Sequence, residues 1–244
     1  MKKFLTSSIF ISGILFFASC KKENSVLNPQ AGEELATQKV KPPTTPIRVK
    51  TDFSSFGTRT FTYNADFNST GNTGISPKVY TYPDATHIIE TSSNGPERHF
   101  TLNKKGLIET ITTPHLTEYW TFNSKKQLTE IFTVGSTGDI AKLIYVYNGD
   151  GNLDTLSEVT NGKLAWYETF TYYPDQPNVM DNDVFGEGFF GVSSNNLMKT
   201  SEWHTGSSVS LRNQSYVYDP FGRVIKVSAT VNGSAQPDHI FTYY

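Results

Sequence analysis

The residue types best suited to chemistry are concentrated in one irregular stretch, residues 173–195, which reads YPDQPNVMDNDVFGEGFFGVSSN. Its acidic residues are Asp175, Asp181, Asp183 and Glu187. Paired carboxylates perform glycoside hydrolysis, and clustered carboxylates hold hard cations. The stretch therefore raises two hypotheses: a carboxylate-based hydrolase at residues 175–187, or a cation site on the same acids.

Three phenylalanines with three glycines among them complete this stretch. Long irregular insertions in compact domains are usually functional or mobile. The rings predict either a plug for one open end of a sheet or an exposed loop that contacts a ligand, a glycan or a protein. In either case the candidate ligand residues are Asp181, Asp183, Phe185, Phe189 and Phe190.

The rest of the chain offers little further chemistry. The five histidines lack metalloprotease spacing, and no G-x-S-x-G or phosphate-binding glycine loop occurs. Residues 148–154 imitate a calcium loop, but Leu153 and Val159 stand where an EF-hand requires glycine and glutamate. We therefore expect no catalytic residues, no metal and no cofactor.

The N-terminus predicts a destination. The first residues are typical of a bacterial lipoprotein signal, with two lysines, an apolar run and Ala18-Ser19-Cys20. We therefore predict that residues 1–19 are removed and that Cys20, the single cysteine, is lipidated. Residues 20–47 are polar, proline-containing and free of aromatics, as in a flexible tether. A net charge of −2 gives no basic excess for nucleic acid. We expect a lipid anchor in the outer membrane, at the cell surface of a Gram-negative bacterium.

A ten-residue phrase occurs four times in residues 48–244, the predicted β domain. The copies are LNKKGLIETI, FNSKKQLTEI, YNGDGNLDTL and YDPFGRVIKV. Asn or Asp at the start of a turn, with Gly three residues later, is typical of a β-hairpin corner. Lys126 replaces that glycine in the second copy, so we predict backbone strain at that corner. In each copy the two aliphatic residues after the corner, such as Val224 and Val227, have opposite parity. This indicates a β-bulge or a sheet covered on both faces.

Aromatic-x-aromatic pairs, with Leu102 filling one gap, recur at steps of 19 to 25 residues apart from one step of 46, which is about two periods. Asn-Gly turns follow at Asn94, Asn161 and Asn232. The two kinds of turn alternate along the chain. We therefore predict an all-β antiparallel meander of about fourteen strands, as a curled single sheet or an incomplete barrel, interrupted by the insertion at 173–195.

The four decamers resemble the YD repeats of RHS-type proteins, which form β-hairpin shells. Their position behind a lipobox resembles a group of bacterial surface lipoproteins with a porin-like β fold, over roughly residues 52–244. The resemblance implies a fold and surface exposure but no site residues. The leading hypothesis is a non-enzymatic lipoprotein with a binding or structural role. The alternatives are the hydrolase and an outer-membrane barrel, and the latter is favoured because residues 241–244 imitate a barrel-assembly signal.

Overall fold

The computed structural model describes residues 47–244, which form seventeen β-strands and two single-turn 3₁₀ helices. The predicted signal peptide, Cys20 and nearly all of the tether lie outside the described residues. The strands are β1 (Val49–Ser54), β2 (Gly57–Tyr63), β3 (Ser69–Gly74), β4 (Lys78–Asp84), β5 (His87–Ser92), β6 (Arg98–Leu102), β7 (Ile108–Thr112), β8 (Leu116–Phe122), β9 (Leu128–Gly135), β10 (Ile140–Tyr147), β11 (Leu153–Thr160), β12 (Lys163–Pro177), β13 (Asn196–Thr205), β14 (Ser208–Tyr218), β15 (Val224–Val231), β16 (Ser234–Ala235) and β17 (His239–Tyr243). The 3₁₀ helices span Asn182–Phe185 and Gly188–Phe190.

The strands form one closed antiparallel barrel. From β1 to β16 each strand pairs with the next in sequence, and β1 pairs with β17, where Asp52 lies opposite Phe241. The two-residue β16 and β17 both lie beside β15, so the wall has sixteen strand positions. The predicted antiparallel meander is confirmed. The expected curled sheet or incomplete barrel of about fourteen strands is wrong, because no local pattern reports that the first and last strands pair.

The corners at one end of the barrel share one hydrogen-bond arrangement. In the corner between β14 and β15, the Asp219 carboxylate accepts hydrogen bonds from the backbone N–H groups of Phe221 and Arg223, both at 2.9 Å. The same two side-chain bonds recur at Asn64, Asn103, Asn123 and Asn148. We call this end, where the chain also enters β1, the Asx end, and the opposite end the Asn-Gly end.

A β-bulge beyond each of these corners resolves the parity problem. Tyr218 pairs with Val224 and Val217 pairs with Lys226, so Ile225 is an extra residue. The same shift occurs beyond the other four corners. Val224 therefore comes to the same inner face as Val227, and each of the four decamer corners contributes two aliphatic side chains to the interior. The Asn64 corner contributes Ser69 and Asn72 instead.

Two corners place a residue other than glycine at a positive φ. Lys126 has φ +63° and Phe67 has φ +61°, where the remaining three corners use glycine. Left-handed backbone is costly for residues with a Cβ. The Phe67 corner lacks both the glycine of three other corners and the aliphatic spacing of all four, and sequence analysis missed it for that reason.

The Asn-Gly end uses tighter turns. Asn161-Gly162 and Asn232-Gly233 have positive φ at both residues, as in type I′ hairpins. Asn94-Gly95 also lies in a turn, between β5 and β6, but without positive φ. All three predicted Asn-Gly turns therefore connect strands at the same end of the barrel.

The aromatic-x-aromatic pairs form layers inside the barrel. The first ring of each pair lies at mid-height, and Phe61, Tyr80, Phe100, Trp120, Tyr145 and Phe241 belong to the three apolar clusters of the core. The second ring lies near the Asx end, where its hydroxyl often reaches a backbone carbonyl: Tyr63 donates to Val49 at 2.6 Å and Tyr82 to Ser69 at 2.5 Å. Burial raises the pKa of Tyr82 to about 12, which keeps the hydroxyl a neutral donor.

The outer face of the wall is rich in threonine. Thr51 and Thr242 share a hydrogen bond of 2.7 Å across the closing seam, and Thr171 and Thr200 share one of 2.6 Å between β12 and β13. Such cross-strand threonine pairs stabilise neighbouring strands. Among residues 47–244, helices of the length and apolar character needed to cross a membrane do not occur.

Gly222 provides a test of the corner geometry. Its φ is +77° and a Cβ added there would meet nothing within 4 Å, so any cost of a side chain comes from the backbone alone. We expect Gly222→Val to lower the free energy of unfolding by about 1–2 kcal/mol, and Lys126→Val to cost less because that residue already pays for a Cβ. Gly95→Val, equally open but without positive φ, is the control. Equal unfolding midpoints for Gly222→Val and wild type would contradict the corner.

Candidate functional site

The predicted insertion closes the Asx end of the barrel. It begins later than expected, because residues 173–177 continue strand β12. The irregular segment therefore comprises residues 178–195, which we call the plug. Its two 3₁₀ turns direct phenylalanine rings into the barrel.

Phe189 and Phe190 pack into the apolar core on one side of the barrel. Phe189 is 7% exposed, and its ring centroid lies 5.8 Å from that of Tyr80 and 6.0 Å from that of Phe100. Phe190 stacks on Phe189 at 4.7 Å and on Trp120 at 5.8 Å. Edge-to-face and tilted pairs at these separations are favourable beyond their buried area.

Phe185 packs on the other side. Its ring lies 5.4 Å from that of Phe61, in a second cluster that includes Met180 of the plug and Tyr243 of the last strand. The three predicted phenylalanines are thus directed into two separate clusters of the barrel interior.

Hydrogen bonds attach the plug to the wall at several points around its circumference. Ser69 donates its backbone N–H to the Gly186 carbonyl at 2.9 Å, and Val192 donates to the Lys126 carbonyl at 2.9 Å. Asn195 Nδ2 donates to the Asp150 carbonyl at 2.6 Å. Counting ring contacts, the plug touches the wall at Phe61, Ser69, Tyr80, Phe100, Trp120, Lys126, Asp150, Tyr172 and Tyr243.

Two glycines permit this close fit. Gly186 has φ +68°, and a Cβ there would lie 2.7 Å from the Ser69 nitrogen. Gly191 has φ +82°, and a Cβ there would lie 2.5 Å from the Lys126 oxygen. The glycines therefore allow backbone-to-backbone contact between plug and wall.

The plug carboxylates have separate partners. Asp181 accepts hydrogen bonds from the backbone N–H and hydroxyl of Ser193, at 3.0 and 2.9 Å. Asp183 Oδ2 lies 3.5 Å from Arg48 Nη1.

The other two acids of this stretch lie in different surroundings. Glu187 accepts a hydrogen bond of 3.2 Å from the Tyr80 hydroxyl, and burial raises the pKa of this carboxyl. Asp175 is exposed on strand β12. The contacts within residues 47–244 therefore do not pair the acids of residues 175–187 with one another, whereas Glu187 shares the Tyr80 hydroxyl with Glu90 of strand β5.

A cavity of about 520 Å³ opens beside the plug at the Asx end. Its lining includes the apolar side chains of Ile88, Leu102 and Phe189, and the carboxylates of Asp66, Asp84 and Asp183. A pocket with an apolar lining and a few polar groups is the usual form of a small-molecule site. Two of the five predicted ligand residues, Asp183 and Phe189, therefore line one concave surface, whereas Asp181, Phe185 and Phe190 do not.

A charged inner wall lies on the side of the plug that faces the Asn-Gly end. Asp52, 3% exposed, pairs with Arg59 and with His239 Nδ1, the latter at 2.9 Å. Glu90, also 3% exposed, lies 3.2 Å from Lys78 Nζ and 3.4 Å from Arg98 Nη1.

These ion pairs hold the buried acids in their charged form. Burial raises the pKa of Asp52, but hydrogen bonds from His239 and Arg59 outweigh burial and hold that pKa below its usual range. Burial also raises the pKa of Glu90, but the positive charges of Lys78 and Arg98 outweigh burial and lower that pKa below its usual value. Removing one partner of such a pair would leave an uncompensated buried charge.

Sequence analysis missed this inner wall, although a signal was present. Arg59, Lys78 and His239 each stand two residues before the first ring of an aromatic-x-aromatic pair, and Arg98 stands two residues before Phe100, where Leu102 replaces the second ring. Residues i and i+2 of a strand share a face, so these charges had to face inward with the rings.

Comparisons with known proteins establish likeness of fold. A porin-like protein from Bacteroides uniformis has a TM-score of 0.63 and 18% sequence identity, covering 84% of this chain and all of its own. A porin-like protein from Bacteroides vulgatus has a TM-score of 0.60 and 13% identity, covering 81% of this chain and 99% of its own. No protein-family model and no curated protein matches the sequence. The shared feature is therefore the antiparallel barrel.

Truncation of a plug ring tests the packing. We expect Phe189→Ala to lower the free energy of unfolding by about 3–5 kcal/mol, as core phenylalanine truncations do. Phe221→Ala removes an equal ring that is 66% exposed in a corner, and should change stability by less than about 0.5 kcal/mol. Denaturant titration measures both. A Phe189 variant as stable as the Phe221 variant would show that the ring does not fill the core.

Proposed function

We propose that this chain is a cell-envelope lipoprotein whose β-barrel is closed by its own plug. The barrel acts as a non-enzymatic binding module and binds ligands in cavities at its surface. The observation that carries the proposal is the plug. Barrels of sixteen strands otherwise leave room for an aqueous channel, whereas here residues 178–195 occupy one end and are bonded to the wall around it.

The packing of the plug argues against an open pore. Phe189 and Phe190 stack on rings of the wall, and Phe185 belongs to a different core cluster. Removing the plug would expose these rings and the inner aromatic layer to water, at a cost of several kcal/mol per buried ring. The plug is therefore better understood as part of the hydrophobic core than as a gate.

The outer wall favours display in water over insertion in lipid. Lys142 Nζ and Glu130 Oε2 form a 2.9 Å ion pair on the outer face of β10 and β9, and Thr121 of β8 lies opposite Glu130. A charge on the lipid face of a membrane barrel costs about 2–4 kcal/mol at mid-membrane. The porin-like name of the two neighbours and the exposed side chains of Val146, Leu164 and Val217 favour a membrane-spanning barrel. The outward-facing ion pair of Lys142 and Glu130 supports the tethered domain instead.

The lipobox completes the proposal. Cys20 would carry the lipid, and the tether that follows would span about 30 Å as a flexible chain. The YD-repeat resemblance fits the repeated Asx corners, which give each decamer a structural role. A hydrolase remains less favoured, because Asp181, Asp183 and Glu187 have three different partners.

The anchor can be tested directly. We expect Cys20→Ala to abolish metabolic labelling with a fatty acid and to leave unprocessed precursor, because the thiol is the acylation site that the lipobox predicts. Ser19→Ala, which keeps a small residue before the cysteine, should be processed and labelled normally. Labelling of the Cys20 variant at the wild-type level would refute the lipoprotein proposal.

The outer face gives a second test. Residues 48–244, secreted behind a non-lipid signal, should remain soluble and monodisperse without detergent, since water can hydrate the threonine-rich wall. Size-exclusion chromatography with light scattering measures this. If the fragment requires detergent to stay in solution, the barrel spans the membrane and the tethered-domain proposal is wrong.

A further inference from the structure

The residues that line the cavity at the Asx end indicate which class of ligand it would bind. Part of its lining is apolar and comes from Tyr82, Leu102 and Phe189, and the rest is polar. Asp66, Asp84 and Asp183 line it as well, and none of its lining residues is lysine or arginine. An apolar surface that ends at carboxylates suits a ligand with an apolar chain and a positive end.

The three carboxylates differ in how far they are already engaged. The Asp84 carboxylate accepts hydrogen bonds from the Thr86 N–H and from His87, which lower its pKa to about 2, so it is charged throughout the physiological range. Asp66 is exposed, and no side chain among residues 47–244 donates a hydrogen bond to its carboxylate. Asp183 shares an ion pair with Arg48. Asp66 therefore retains the most capacity for a new cation.

The protein itself places a cation at this end. The Arg48 guanidinium lies 3.5 Å from Asp183 and 5.9 Å from the centroid of the Phe67 ring. Carboxylate on one side and an aromatic face on the other is a common environment for a bound cation. Lys104 and Lys105, on the corner before Gly106, are not among the lining residues.

We propose that this cavity binds a primary ammonium group carried on an apolar chain, as in a lysine side chain or a linear diamine. The ammonium group contacts Asp66 and Asp183, and the methylenes lie against Leu102 and Phe189. A neutral polyol lacks the charge that the carboxylates match, and an anion is repelled by them.

The test measures binding of hexane-1,6-diammonium to the mature full-length protein by calorimetry, beside hexane-1,6-diol and butane-1,4-diammonium. We expect the diol to bind about tenfold more weakly, and the shorter diamine about fifteenfold more weakly because its two missing methylenes would each contribute about 0.8 kcal/mol when buried. Binding should also weaken as salt is added. Absence of binding by the longer diamine, or equal binding of the diol, overturns the proposal.

Matched variants locate the site. Asp66→Asn with Asp183→Asn should weaken diamine binding about five- to tenfold, as expected for two exposed ion pairs. Asp175→Asn with Glu202→Gln makes the same charge change at exposed positions that do not line the cavity, and should leave binding within about twofold of wild type. Equal weakening by both pairs would show long-range attraction only, and would overturn the proposal.

Filling the cavity provides an independent check. Gly188 lines the cavity, has no left-handed φ, and a Cβ there would lie 3.4 Å from Asp183 Oδ1. Gly188→Trp should therefore fold with an unfolding midpoint near that of wild type and lose diamine binding. A folded Gly188→Trp variant that still binds the diamine like wild type would place the ligand elsewhere and overturn the assignment.

Discussion

The need to fill a wide barrel governs the rest of this structure. Sixteen strand positions enclose more space than a small barrel can fill with its own inward side chains. Here the inner face carries large rings such as Phe61 and Tyr80, and residues 178–195 supply three more from a single loop. The rings of Phe185, Phe189 and Phe190 complete apolar clusters that the wall alone leaves open. The plug is therefore a requirement of the architecture.

The repeated corner makes this filling systematic. Each of the four decamer corners is followed by a bulge that brings two aliphatic side chains to the inner face, and each aromatic-x-aromatic pair adds two rings to the same face. Polar groups such as Arg59 and Glu90 continue the inner face toward the Asn-Gly end. The interior is thus divided along the barrel axis into a sealed aromatic part and a charged part, because one sequence phrase is repeated in register.

Local chemistry made much of this fold predictable. The four decamers and the Asn-Gly turns each encode a corner within a few residues, so the alternation of turns and the antiparallel meander could be derived. Closure could not, because the pairing of β1 with β17 joins segments about 190 residues apart. The Phe67 corner lacked its glycine, and the ion pairs of Asp52 depend on three strands meeting. Of the candidate site, the plug was predictable as an irregular insertion, but the cavity depends on Asp66 and Asp84 in two other corners.

The seam between β1 and β17 also sets an order of events for a growing chain. Asp52 cannot meet Phe241 until the last strand exists, so every shorter intermediate has two open sheet edges. Unpaired edges invite pairing with other chains, and contacts between distant segments form slowly. The seam itself presents threonines, Thr51 against Thr242, rather than a long apolar edge. Such a chain must therefore be kept apart from other copies until its final residues have been synthesised. Pairing of β1 with β17 then removes both open sheet edges in one step.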